Sequence, residues 1–283
     1  MPLSAEAQVR RRARNALSTG KPFQAHGEEN WRIVEQVRAE LAKQVEQGKT
    51  AVKRAAVEVD AAFTLLNAWH RRSGLPISEG HIGMPSLRAR REVLVKLLSD
   101  RAKAEPVPCV CAQIGLNAGH SAVVMLNTLP SACRLVSFQI KSGEGTKNRS
   151  LQQSTLRFLE PYAGKDSLGR PRHVVVWGDS KTTLAKALAC GAATYDFIFI
   201  DGGHSLRTAS KDLKHARLLS RRGTIIAMDD AFPRCSKIRK LSAWQRGPSL
   251  AWKTAVQAGD IVEMGCQEGL AWGRASDHRA KLR

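Results

Sequence analysis

The chain has 283 residues and a mass of 31.0 kDa, enough for one large domain or a domain with a substantial extension. Its 43% hydrophobic and 25% charged residues are ordinary for a globular chain, and no apolar run reaches the ~18–20 residues that span a bilayer. The net charge of +20 is divided as excesses of seven, seven and six over residues 1–105, 106–230 and 231–283, which excludes a single basic tail as its source.

Residues 1–27 form a basic N-terminus, with Arg10, Arg11, Arg12, Arg14 and Lys21 against Glu6. A frayed segment is the plainer reading, and a weak organellar transit segment is the alternative. Periodicity then predicts helices. Over 28–47, Trp31, Val34, Val37 and Leu41 recur at spacings of three and four. Over 50–72 the same pattern runs through Val52, Ala55, Ala56, Val59, Phe63 and Leu66. Ser73-Gly-Leu-Pro-Ile77 breaks it, and a third helix is expected from Pro85-Ser86 through Val93, Leu94, Leu97 and Leu98. Residues 28–105 are thus read as a helical extension, bounded by Ala104-Glu-Pro-Val-Pro108.

After Pro108 apolar runs at 109–114, 133–138, 173–177, 195–200 and 223–228 alternate with helical stretches near 119–128, 149–160, 181–190 and 205–220. That alternation predicts an α/β, doubly wound, seven-stranded and mostly parallel sheet over 106–275. Gln267-Glu-Gly269 marks a closing hairpin whose last strand is antiparallel, and 276–283 is a basic tail. The cysteines at 109, 111, 133, 190, 235 and 266 are few and mostly lie in or beside apolar runs. They are read as free thiols in a reducing compartment, without a zinc site. A soluble intracellular location follows, cytoplasmic by preference, with an organelle as the alternative.

The first group of residues with chemical potential is Gln113-Ile-Gly-Leu-Asn-Ala-Gly-His-Ser121, where the first strand turns into a helix. Gly115 permits a tight turn and Gly119 a close ligand approach to the helix start, whose N–H groups suit a polar or anionic group. The alternative is a close-packed turn without a ligand. His120, inside the glycine-rich turn, is left open, a solvent-facing side chain being the plain alternative to a functional one. The second group is carboxylate: Asp201 follows the fourth strand and Asp229-Asp230 the fifth. Strand ends in an open parallel sheet face one crevice, where three carboxylates repel unless a cation neutralises them. All-oxygen donors favour a hard divalent ion such as Mg²⁺. The alternative is that Asp229 and Asp230 cap a turn.

Together these motifs resemble the class I S-adenosylmethionine-dependent methyltransferases, and more narrowly the metal-dependent O-methyltransferases acting on catechols and sugars. The resemblance rests on the glycine-rich run, Val136-Ser-Phe-Gln139, Val174-Val-Val-Trp-Gly-Asp-Ser180, Tyr195-Asp-Phe-Ile-Phe-Ile-Asp-Gly-Gly-His-Ser205 with Asp212 and Leu219 beyond it, and Gly223-Thr-Ile-Ile-Ala-Met-Asp-Asp230. It implies a Rossmann-like methyltransferase fold and S-adenosylmethionine as cofactor. The implied cofactor contacts are Gln113, Gly115, Gly119, Ser121, Gln139, Asp179 and Ser180. The implied metal ligands are Asp201, Asp229 and Asp230, holding an acceptor hydroxyl, with Asp201 and His204 as the catalytic pair.

Two positions depart from the family pattern. Gln113 stands where an acidic residue opens the first motif, and Gln139 where a carboxylate grips the ribose hydroxyls. Exchanging one charge-assisted bond for a neutral one weakens binding by about tenfold. His204 occupies the offset of a catalytic lysine in catechol-acting relatives; an imidazole there is a base near neutral pH, or else a helix cap or an orienter of Asp201.

The reading is methyl transfer to a small-molecule hydroxyl assisted by a divalent metal. The alternatives are a methyltransferase acting on nucleic acid or another macromolecule, prompted by the basic surface, and a non-catalytic interaction module, prompted by the two glutamines. Trp177 and Phe138 are read as sheet core, and Trp244 and Trp252 as core or substrate wall.

Overall fold

The computed structural model describes residues 51–75, 87–104, 109–143, 146–166, 168–191, 194–234 and 240–276. The helix expected over 28–47, the Pro85-Ser86 start, both basic termini and Cys235 lie outside the described residues.

Two helices, α1 (Ala51–Arg72) and α2 (Arg88–Ala104), precede an alternating series. It runs β1 (Val110–Ile114), α3 (His120–Thr128), β2 (Arg134–Gln139), α4 (Lys147–Ala163), β3 (His173–Trp177) and α5 (Ser180–Ala189). It continues through β4 (Tyr195–Ile200), α6 (Leu206–Leu218), β5 (Ser220–Met228), α7 (Ala243–Gln257), β6 (Ile261–Gln267) and β7 (Leu270–Ala275). One seven-stranded sheet has the order β3-β2-β1-β4-β5-β7-β6. Pairings from β3 through β5 are parallel, and β7 is antiparallel to both β5 and β6. The expected hairpin turns at Glu268-Gly269, both at positive φ (50° and 80°).

Strand β4 shows why the sheet is covered on both sides. Phe197 and Phe199 join one core cluster while Ile198 and Ile200 join the other, as a period of two requires of a strand buried on both faces. The first cluster also holds Leu66 of α1 and Leu94 and Leu98 of α2, all fully buried, so these two helices share one core with the sheet. The second holds Leu213 of α6 and Trp252 of α7. Helix α7, with Pro248 inside it, lies beyond the helices expected from the sequence. Gly247 has a reason to be there: a Cβ would collide with the His204 carbonyl oxygen, so the glycine lets α7 lie against the 204–206 backbone.

The cysteines correct one expectation. Cys109 and Cys133, each just before a strand, form a disulfide with Cα atoms 4.5 Å apart. Parallel pairing of β1 and β2 places the two strand starts side by side, a proximity that 24 residues of separation hide. Cys111 is a free buried thiol, its pKa pushed up to about 12 by burial. Among the described residues no helix is long and apolar enough to cross a membrane.

Candidate active site

A cavity of about 880 Å³ opens over the C-terminal ends of β1, β2, β4 and β5. Strand order reverses between β1 and β4, the place where open α/β sheets hold their ligands. Gly115 leaves β1 with φ 95°, and a Cβ there would collide with the Asp201 carbonyl oxygen, so only glycine lets the two strand exits pass. Gly119 has φ 87°, but its Cβ would meet Thr155 Cγ2 of α4 at 2.7 Å. It makes room for a helix, as the close-packed alternative had it, while also bordering the cavity. Gly115, Gly119 and Ser121 all line the cavity, at the start of α3, whose first-turn N–H groups lack intrahelical acceptors.

His120 is buried rather than solvent-facing. Its Nε2 lies 2.8 Å from Asn67 Oδ1, and its ring packs edge-on to Phe63 at 5.2 Å. His70 Nε2 donates to the Ala118 carbonyl at 3.1 Å. Helix α1 therefore backs the glycine-rich turn.

The two glutamines behave differently. Gln113 is fully buried and does not line the cavity; its Nε2 donates to Ser137 Oγ at 2.8 Å, and that hydroxyl lies 2.7 Å from His173 Nε2. The side chain is directed to β2 and away from the cavity where its expected contact would lie. Gln139 does line the cavity. Its Oε1 accepts from the Leu116 and Asn117 amides at 2.6 and 3.1 Å, and its Nε2 donates to the Ile140 carbonyl at 3.0 Å. The last bond needs an amide, which a carboxylate cannot supply. Asp179 and Ser180 also line the cavity; Asp179 caps α5 by accepting from Lys181 N at 2.9 Å and pairs with Lys181 Nζ at 3.0 Å. Phe138 is buried at the cavity floor and Trp252 is core, whereas Trp244, 57% exposed, stands at the cavity rim. Trp177 is only half-buried, with the Arg149 guanidinium 5.5 Å from its ring centre.

Register between β4 and β5 pairs Ile200 with Met228, which brings Asp201 alongside Asp229-Asp230, and all three line the cavity. A fourth charge stands among them. Arg90 of α2 donates from Nη1 to Asp229 Oδ1 at 2.7 Å and to Asp230 Oδ1 at 3.3 Å, and from Nε to the Glu268 carbonyl at 2.8 Å. Burial and then the Asp201 charge push the Asp229 carboxyl well above its usual range, with Arg90 opposing. Burial also works against ionised Asp230, but hydrogen bonds from His204 and Arg90 outweigh it and hold that carboxyl low. His204 Nε2 lies 3.2 Å from Asp230 Oδ2; that bond raises the imidazole pKa above 6.5, burial opposes it and Asp201 adds to it.

The donor set does not fit a resident divalent ion. One oxygen of Asp229 and one of Asp230 already accept from a buried guanidinium. A dication ~4 Å from such a cation is opposed by roughly 8 kcal/mol at an effective dielectric of about 20. Among the described residues no group of three or more His, Cys, Asp or Glu side chains has metal-binding geometry. Nothing in the sequence motifs marks Arg90; the available sign is that it falls in the apolar phase of α2, four residues before Leu94.

A glycine-rich turn after the first strand, a ligand cavity at the switch point and an antiparallel last strand define the class I methyltransferase architecture. Residues 112–231 match the family model described as a methyltransferase domain. No curated protein matches the chain. Among solved structures the chain is similar to the O-methyltransferase TomG from Streptomyces achromogenes, involved in tomaymycin synthesis, in complex with SAM. The identity is 17% and the TM-score 0.51, over 82% of this chain and 92% of that one. It is also similar to the apo structure of CalS11, a TDP-rhamnose 3′-O-methyltransferase in calicheamicin biosynthesis, at 14% identity and TM-score 0.52, over 98% and 97% of the two chains. At such identities the likeness carries the fold.

Proposed function

We propose that the protein transfers a methyl group from S-adenosylmethionine to a hydroxyl of a small-molecule acceptor, with residues 106–275 as the transferase unit and the preceding helices closing its site. The observation that supports this reading is one continuous cavity whose lining combines the glycine-rich turn, Gln139, Asp179 and Ser180 with the Asp201, Asp230 and His204 cluster. Its size suits a cofactor beside a small acceptor. When bound, S-adenosylmethionine supplies a methyl carbon made electrophilic by its sulfonium.

The protein's own part is to orient and to move one proton. Gly115, Gly119 and Ser121 would border the methionine end, and Gln139, Asp179 and Ser180 the nucleoside end. His204 would take the acceptor's hydroxyl proton as that oxygen becomes the nucleophile toward the methyl group. Asp230 holds the imidazole and stabilises its charged form. No step is assigned to a divalent ion, because Arg90 already engages the carboxylates that would bind it.

The nucleic-acid reading has less support, because it rests on the net charge of +20 alone. The testing experiment is calorimetric titration with S-adenosylmethionine, followed by methyl transfer to catechol, phenolic and sugar acceptors. Saturable binding with transfer to one acceptor class is expected. Absence of binding at millimolar cofactor would favour the interaction-module reading.

A further inference from the structure

We infer that the Arg90 guanidinium is a built-in cation standing where metal-assisted relatives would place a divalent ion, so that this site neutralises its carboxylates with its own side chain. The inference deepens the reading of the same cavity as a methyl-transfer site and rests on it.

Four observations carry it. The guanidinium bonds Asp229 and Asp230 together, at 2.7 and 3.3 Å, from a side chain that is 5% exposed. It is anchored a third time by the Glu268 carbonyl of the β6–β7 turn. That turn is shaped around it, because a Cβ at Gly269 would lie 2.8 Å from Arg90 Nη2 and collide with the Phe232 ring. The helix carrying it is itself pinned: Arg91 pairs with Asp60 at 2.6 Å and Arg101 with Asp196 at 2.8 Å. Arg90 therefore cannot swing aside for an incoming ion without leaving a buried charge unpaired. A guanidinium offers hydrogen-bond donors and a fixed single charge, with no open coordination position. It can hold Asp230 against His204, but it cannot be chelated by an acceptor. In this role Arg90 is a positioning residue.

The test is Mn²⁺ titration followed by electron paramagnetic resonance, on the wild-type protein and on Arg90→Gln. Wild type is expected to bind no stoichiometric Mn²⁺ up to about 1 mM. A folded Arg90→Gln should expose the three carboxylates and bind one Mn²⁺ about tenfold more tightly or better, an affinity that Asp229→Asn in the same background removes. One equivalent of Mn²⁺ bound tightly by wild type and lost in Asp229→Asn would overturn the inference. So would a folded Arg90→Gln that gains no affinity. If Arg90→Gln does not fold, wild-type turnover decides: transfer unchanged by chelator carries the inference, and transfer lost to chelator and restored by Mn²⁺ overturns it. Cofactor calorimetry on the same samples separates the two readings, because failure to bind S-adenosylmethionine sinks the proposed function while the Mn²⁺ result stands on its own.

Discussion

His204 works through the atoms around it. With Nε2 committed to Asp230 and its pKa raised, the imidazole is a stronger base that is protonated over more of the neutral range. Methyl transfer should therefore increase as pH rises through a limb lying above 6.5, measured as initial rate against pH. Asp230→Asn should move that limb downward, and His204→Ala should lower the rate by roughly a hundredfold or more while leaving cofactor affinity in place. Asp212 gives a second pH signature, in stability. Its carboxylate is buried, and burial raises its pKa from 3.8 to about 6, with a hydrogen bond from Ser180 opposing. Below 3.8 the folded and unfolded states are both protonated and the group is neutral in its effect. Across the window up to about 6 the unfolded chain ionises first, so stability falls as pH rises, and the loss is complete above it. That loss is about 3 kcal/mol, and Asp212→Asn should recover most of it at pH 7 and nothing below pH 4 in denaturant titrations.

Among the elements, α2 and α7 position the site from outside the strand-helix alternation. Helix α2 turns Arg90, Arg91, Leu94, Val95, Leu98 and Arg101 inward, so one face mixes leucines with three arginines. Each of these arginines meets a carboxylate: Arg90 meets Asp229, Arg91 meets Asp60, and Arg101 meets Asp196. Asp196 also receives Arg221 and the Val110 amide, so it ties α2 to the starts of β1, β4 and β5. Asp196→Ala would strand Arg101 in the core and should cost about 3–5 kcal/mol of unfolding free energy, whereas an exposed pair such as Lys96–Asp100 should be worth far less. Helix α7 lies against the backbone that carries His204, with Gly247 at the contact. Gly247→Ala should cost about 1–3 kcal/mol through overpacking. It should also lower the rate more than it lowers cofactor affinity, because the displaced segment is 204–206. Equal losses in both would place the strain elsewhere.

For the molecule as a whole, much was legible before any coordinates. The five apolar runs became β1 to β5 within a few residues, because a strand buried on both faces must be apolar throughout and cannot hide in another pattern. Gln267-Glu-Gly269 announced its hairpin because its turn needs positive φ. The strand-end carboxylates line one cavity for a related reason: in a parallel sheet, residues that directly follow strands share one edge whatever their distance in sequence. What the sequence could not decide is which groups satisfy which. Gln113 and Gln139 look alike as departures from a motif, yet one bonds a neighbouring strand and the other the glycine-rich turn. The disulfide of Cys109 with Cys133 follows from strand pairing, not from cysteine spacing. The charge of the site was the largest surprise. Sequence counts three carboxylates there and calls for an external cation, whereas folding brings Arg90 across 139 residues to Asp229. Local pattern fixes which side chains face inward, because periodicity is a property of neighbours along the chain. Partnership between buried charges is a property of neighbours in space, and only the packing of α2 against the sheet determined it.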